Sequence, residues 1–110
     1  MISIIGSTGL IGKHINNLFP VDKKYNSKNI IDFKSTEHDL VFCCAPSSVK
    51  WLANKNPAQD LNSVSRLISN IHGAKIKKIY LFSTIDIYGN ILGQNEDSKI
   101  DIKQTSAYGR

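Results

Sequence analysis

Three glycines at a spacing of three, Gly6, Gly9 and Gly12, separate an apolar run (Ile2, Ile4, Ile5) from an amphipathic stretch. This spacing suits the binding of a diphosphate. Gly6 permits a tight turn, Gly9 removes the side chain that would block a pyrophosphate, and Gly12 lets a helix approach a strand closely. Thr8 lies inside the loop, and the backbone N–H groups around Leu10 and Ile11 open the helix. Those groups point at an anion with the helix dipole behind them. The pattern predicts a dinucleotide-binding strand–turn–helix at the start of the chain.

The elements that must hold this loop follow in order. Ile11, Ile15, Leu18 and Phe19 recur at helical spacing before Pro20 ends the helix. Val21–Tyr25 reads as a short strand, residues 26–29 as a turn, and Ile30–Phe33 as another brief strand. Asp39–Ala45 is a continuous apolar run that stops at Pro46, as a buried strand would. Residues 47–56 form a loop or irregular helix around Trp51. A helix is expected from Pro57, with Leu61, Val64, Ile68 and Ile71 as its apolar stripe and Gly73 as its stop. Ile76–Ser83 is the next strand, and the polar run beyond Gly89 reads as loop. Strands alternating with helices predict an α/β fold, a parallel sheet covered by helices on both faces. Ligands bind such sheets at the carboxyl ends of the strands, so Gly6, Ala45 and Ser83 are expected to border one crevice, with Ala45 and Pro46 on the adenosine side.

Composition narrows the classes. The chain has 110 residues, 41% hydrophobic and 21% charged, which fits one small globular domain. No apolar run is long enough to span a membrane, and nothing at the start reads as a signal peptide, so no membrane partner is expected and the cytoplasm is the expected location. Net charge is +5, but the lysines are scattered and form no basic face interleaved with aromatics. Nucleic-acid binding is therefore not expected, while positive potential suits a phosphate-bearing ligand. Cys43 and Cys44 are adjacent and read as reduced, buried small hydrophobes. His14, His38 and His72 share no metal-ligand spacing, so no metal is assigned.

Three separated pieces together resemble the extended short-chain dehydrogenase/reductase family of nucleotide-sugar epimerases and dehydratases. They are GSTGLIG at 6–12, STIDIYG at 83–89, and SAYGR at 106–110, which looks like the start of that family's S-x-Y-G-x-x-K segment. The intervening RLISNIHGAKIKKIYLFST is similar to the family's helix and strand before the catalytic Ser/Thr. The resemblance implies a Rossmann-type sheet of about four to five strands, truncated, with 1–110 as an incomplete NAD(P)-binding domain. By that resemblance Thr84 hydrogen-bonds the substrate hydroxyl or carbonyl, and Tyr108 transfers the proton while hydride moves to or from the nicotinamide. Asp86 stands where related dehydratases carry an acid. Ile85 stands where they usually have a second one, which leaves epimerase and reductase chemistry equally open. The family's lysine four residues after the tyrosine would fall beyond Arg110, so this chain is expected to bind cofactor without turnover. The same resemblance implies that sugar-nucleotide binding would fall to a C-terminal region beyond 1–110.

Cofactor choice depends on where the second strand ends. With the end near Tyr25, Asn26, Ser27 and Lys28 follow, no acid is present to hold a ribose 2′-OH, and Ser27 and Lys28 suit the 2′-phosphate of NADP. Asp32 would then be similar to the family's adenine-contacting aspartate. A later end makes Asp32 the ribose ligand and favours NAD; the balance leans slightly to NADP. A non-catalytic NAD(P)-binding or redox-sensing module would use the same glycine loop without requiring Thr84 or Tyr108. An unpaired strand after 76–83 would leave a sheet edge open, so a homodimer is expected.

Overall fold

The computed structural model describes residues 1–45, 54–83 and 95–100. Along the chain these are strand β1 (Ile2–Ile5), helix α1 (Leu10–Leu18), strand β2 (Lys23–Tyr25), a 3-10 helix (Ile30–Ser35), strand β3 (Glu37–Cys43), helix α2 (Pro57–His72) and strand β4 (Lys75–Leu81). The four strands form one sheet in the order β2-β1-β3-β4, with every neighbouring pair parallel. The protein is thus an α/β fold. The register aligns Ile5 with Tyr25 on one side and with Cys43 on the other, and Cys43 with Leu81, so the strands reach their carboxyl ends together. Chain order reverses across β1, with β2 on one side and β3 on the other.

The chain divides into two compact units, Met1–Pro46 with Ser63–Phe82, and Ser47–Asn62 with Ser83–Arg110. The first holds the sheet. Its core is Ile5, Tyr25, Ile30, Phe33, Val41 and Cys43, with Leu67, Ile71, Ala74 and Ile76 packed against it. Ile4 pairs with Phe42 in the ladder, so both lie on the opposite face from Ile5 and Cys43, and the Phe19 ring packs there against Phe42, tilted, at 4.9 Å between centroids. Burying each such aliphatic or aromatic side chain contributes about 1.5–3 kcal/mol. In the second unit, Asn95 caps a turn. Its side-chain oxygen accepts the Asp97 N–H at 2.9 Å, and its carbonyl accepts the Ser98 N–H at 3.1 Å.

Three elements differ from the sequence reading. Ile30–Phe33 is part of a 3-10 helix, not a strand. Ile30 and Phe33, three apart, share one buried face as the three-residue period requires, while Ile31 between them is exposed. On α2 the inward face carries Val64, Leu67 and Ile71, whereas Leu61 and Ile68 are 64% and 58% exposed. The inward face thus keeps Val64 and Ile71 of the expected stripe and adds Leu67 and the buried Asn70, whose amide is satisfied within the helix by donating to the Arg66 carbonyl at 2.8 Å. Gly73 follows α2 without the positive φ expected of a glycine stop; Gly6 alone among the described residues has one. On α1, Ile15 is half-buried while Ile11, Leu18 and Phe19 are exposed.

A buried polar cluster ties the 3-10 helix to the sheet. His38, 2% exposed, stacks on Phe33 at 4.0 Å between ring centroids and lies edge-on to Tyr25. Its Nε2 is 3.0 Å from the Phe33 carbonyl oxygen, which can only accept, so Nε2 carries the hydrogen. Nδ1 then accepts from the Ser3 hydroxyl at 2.7 Å. Ser3→Ala leaves Nδ1 buried without a donor and is expected to lower stability by about 1–3 kcal/mol, measured by urea denaturation. A change within 0.5 kcal/mol, a threshold on the order of a surface substitution, would exclude that role.

Where β3 begins, the Asp39 carboxylate accepts from the Met1 ammonium and pairs with Lys77 at 3.1 Å. These hydrogen bonds and charges hold its pKa below the usual carboxylate value. With the folded value depressed, the contribution is present above the unfolded carboxylate pKa and is lost as pH falls through the folded one. Asp39→Asn should therefore differ from the wild type at neutral pH and converge with it in acid, in denaturation curves recorded across pH at low salt. A difference that persists in strong acid would contradict the assignment.

Candidate functional site

The glycine loop sits at the carboxyl end of β1 and is fixed by the strands on either side. Gly6 has φ +85°, a region that favours glycine, and its N–H donates to the Tyr25 carbonyl at 2.9 Å. On the other side the Cys44 N–H donates to the Ile5 carbonyl at 2.8 Å. A Cβ on Gly6 would lie 2.8 Å from the Cys44 carbonyl oxygen and 2.9 Å from Ala45 Cα. Ala45, expected to border the site, thus packs against the turn itself. Gly12 is buried in α1, and a Cβ there would lie 2.0 Å from the Gly6 carbonyl oxygen. Gly6 and Gly12 are therefore demanded by the fold.

Gly9 is not. Its backbone is extended (φ −75°, ψ 173°), which any residue adopts, and a Cβ on it would meet nothing within 4 Å among the described residues. It occupies the N-cap of α1, where Ser, Thr, Asn or Asp would supply a side-chain cap, and none is made. The first turn carries no acid. The first helical hydrogen bond runs from Lys13 N–H to the Gly9 carbonyl at 2.9 Å, so the N–H groups of Leu10, Ile11 and Gly12 precede it and lack helical partners. Thr8, Gly9, Leu10 and Ile11 are all exposed. The result is a bare helix start, positive by its dipole, with no side chain of the described residues in the way.

The end of β2 supplies the second part. Tyr25 is the last strand residue, so Asn26 occupies the position where a dinucleotide site carries a ribose-binding acid. The Asn26 side-chain oxygen is committed to the turn, accepting from Lys28 N–H at 2.8 Å and Asn29 N–H at 3.3 Å. Asn29 returns the contact, accepting from Asn26 N–H at 2.7 Å and donating to the Lys24 carbonyl at 3.0 Å. Ser27 and Lys28 are exposed at the tip. Asp32 is exposed on the 3-10 helix, away from the strand end that would have made it the ribose ligand.

Ser83 is exposed just beyond β4, while Pro46, Thr84, Asp86 and Tyr108 lie outside the described residues. Cys43 is buried as expected, but Cys44 is half-buried beside the glycine turn. Burial pushes both thiols up, with the Cys43 neighbour adding to the shift at Cys44, so both stay protonated at neutral pH. Cys44 was missed as a site-wall residue because its contribution is a backbone carbonyl, which no residue type signals. Among the described residues no three His, Cys, Asp or Glu side chains group as metal ligands, and no helix is long and apolar enough to cross a membrane. No family model, no curated protein and no solved structure matches the chain.

Proposed function

We propose that this chain binds a nicotinamide dinucleotide, NADP(H) in preference to NAD(H), across the glycine loop of a Rossmann-type sheet. Gly9 carries the reading. Of the three loop glycines it is the one that neither the backbone nor any neighbouring atom of the described residues requires, so its missing side chain leaves room for a ligand. Gly6 and Gly12 meet the other two demands of the fingerprint, the turn and the close helix approach. The pyrophosphate would take the N–H groups of Leu10, Ile11 and Gly12. The adenosine ribose would lie toward Asn26, Ser27 and Lys28, where a lysine and no acid favour a 2′-phosphate.

The resemblance to the extended short-chain dehydrogenases extends the proposal to hydride transfer at a sugar hydroxyl or carbonyl. In that role Thr84 would bind the reacting oxygen and Tyr108 would carry the proton, with Asp86 beside them; the nicotinamide supplies the hydride chemistry when bound.

Calorimetric titration of NADPH and NADH tests the reading. Lys28→Ala is expected to weaken NADPH by about 1–3 kcal/mol, as for loss of a charge-assisted hydrogen bond, and to leave NADH nearly unchanged. Equal weakening of both would remove Lys28 from the 2′-phosphate site. The strand order β2-β1-β3-β4 is that of doubly wound sheets that hold a flavin mononucleotide at the same reversal, whereas the classic dinucleotide sheet sets its third strand beside the second, so FMN is the control ligand. Tight FMN binding without NADPH binding would overturn the dinucleotide proposal.

A further inference from the structure

The two edges of the sheet are built differently. β2 is three residues long and two of them are lysines, a short charged edge of the kind that resists further pairing. β4 has seven residues, no strand beyond it among the described residues, and four successive exposed apolar residues at its carboxyl end, Ile79, Tyr80, Leu81 and Phe82. Leu81 is 63% exposed. The lysines of this strand are exposed and engaged within the chain: Lys75 pairs with Glu37 of β3 at 3.5 Å, Lys77 with Asp39 of β3 at 3.1 Å, and Lys78 lies 5.0 Å from the centre of the Tyr80 ring.

From the charge polarity of this strand we infer that β4 pairs with β4 of a second copy, antiparallel about a two-fold axis, extending the sheet across the dimer. The amino half of β4 is cationic and the carboxyl half apolar and aromatic, so an in-register parallel copy sets lysine on lysine while an antiparallel copy does not. Hydrogen-bonding direction then fixes the register. The Phe82 N–H donates to the Cys43 carbonyl at 3.1 Å, so by strand alternation Tyr80 and Lys78 also face β3, and Lys77, Ile79 and Leu81 turn their N–H and C=O groups to the open edge. In an antiparallel pair, outward residues meet outward residues, so the two-fold axis must pass through a residue. An axis at Lys78 opposes Lys78 to itself. An axis at Ile79 opposes Ile79 to Ile79, Lys77 to Leu81, and Lys78 to Tyr80, which places each ammonium against an apolar or aromatic partner. An axis at Tyr80 also keeps lysine off lysine, opposing Lys78 to Phe82, but it pairs only residues 79–81 of β4. The Ile79 axis pairs 77–81, so the register centred on Ile79 keeps more of the strand paired.

The experiment is sedimentation equilibrium over a concentration series, with amide hydrogen exchange read at single residues of β4. The wild-type chain should be a dimer in which the Lys77, Ile79 and Leu81 amides are protected, and that protection should fade on dilution. Ile79→Pro removes an outward donor without touching the β3 ladder, so it should weaken self-association by about tenfold or more while the chain stays folded. Leu81→Lys, which opposes a new cation to Lys77, should do the same should the proline variant prove unfolded. A wild-type chain that is monomeric at every concentration would overturn the proposal, even with those amides protected, since protection in a monomer means that the chain covers its own edge. A dimer with those amides unprotected would overturn it too, by placing the interface elsewhere.

Discussion

Gly12→Ala is expected to cost about 3 kcal/mol or more, a large part of the stability of a small domain. The added Cβ would stand 2.0 Å from the Gly6 carbonyl oxygen and 2.9 Å from Ser7 Cα. Both are backbone atoms of a turn already held by the Gly6–Tyr25 hydrogen bond, so neither can rotate away as a flexible side chain would. Relief requires α1 to lift from β1 or the turn to break. A domain of this size loses roughly 4–8 °C of melting temperature per kcal/mol, so thermal unfolding should fall by more than about 12 °C. Gly73→Ala is the control. Its Cβ would meet the Lys34 side chain at 3.2 Å, which can swing aside, and melting should change by no more than about 4 °C. Equal effects at the two glycines would mean that the helix does not approach the loop as closely as described.

The second large effect is on binding rather than folding. Gly9→Val should leave thermal stability nearly unchanged, because the side chain enters open space on an extended backbone; the change in N-cap residue costs at most about 1 kcal/mol. The same side chain fills the approach to the Leu10, Ile11 and Gly12 N–H groups. Binding through those groups should weaken by about 100-fold or more, about 2.7 kcal/mol. A variant with native melting and no affinity separates the ligand's demand for glycine from the fold's.

The contrast between the loop and the rest shows what the residues announced. Gly6 and Gly12 were legible because only glycine tolerates φ +85° or a carbonyl at 2.0 Å, so residue type and backbone geometry are one statement there. Strands β1 and β3 were legible from their apolar residues, Ile2, Ile4 and Ile5 in one and Leu40–Cys43 in the other, though the polar start of β3 at Glu37 and His38 carried no such signal. Ile30–Phe33 was not, because four residues with three large apolar side chains fit a strand or a 3-10 turn equally well. Asn26 decides it locally, by accepting the N–H groups of Lys28 and Asn29 through its side chain and that of Ile30 through its carbonyl. The exposure of β4 was equally hidden, because IKKIYLFS reads the same at a sheet edge as in its middle. His38 gave no signal at all; its partners, Ser3 and the Phe33 carbonyl, meet only once the sheet is formed. Thr84, Asp86 and Tyr108, which carry the resemblance's chemistry, lie outside the described residues.

The most direct test of the proposed dinucleotide site is a paired calorimetric titration of NADPH into the wild-type chain and into Gly9→Val, with both melting curves recorded beside it. The account predicts saturable one-to-one binding by the wild type, and no measurable binding by a Gly9→Val chain that melts within a few degrees of it, roughly the shift for a cost below 1 kcal/mol. Undiminished NADPH affinity in a well-folded Gly9→Val chain would contradict it.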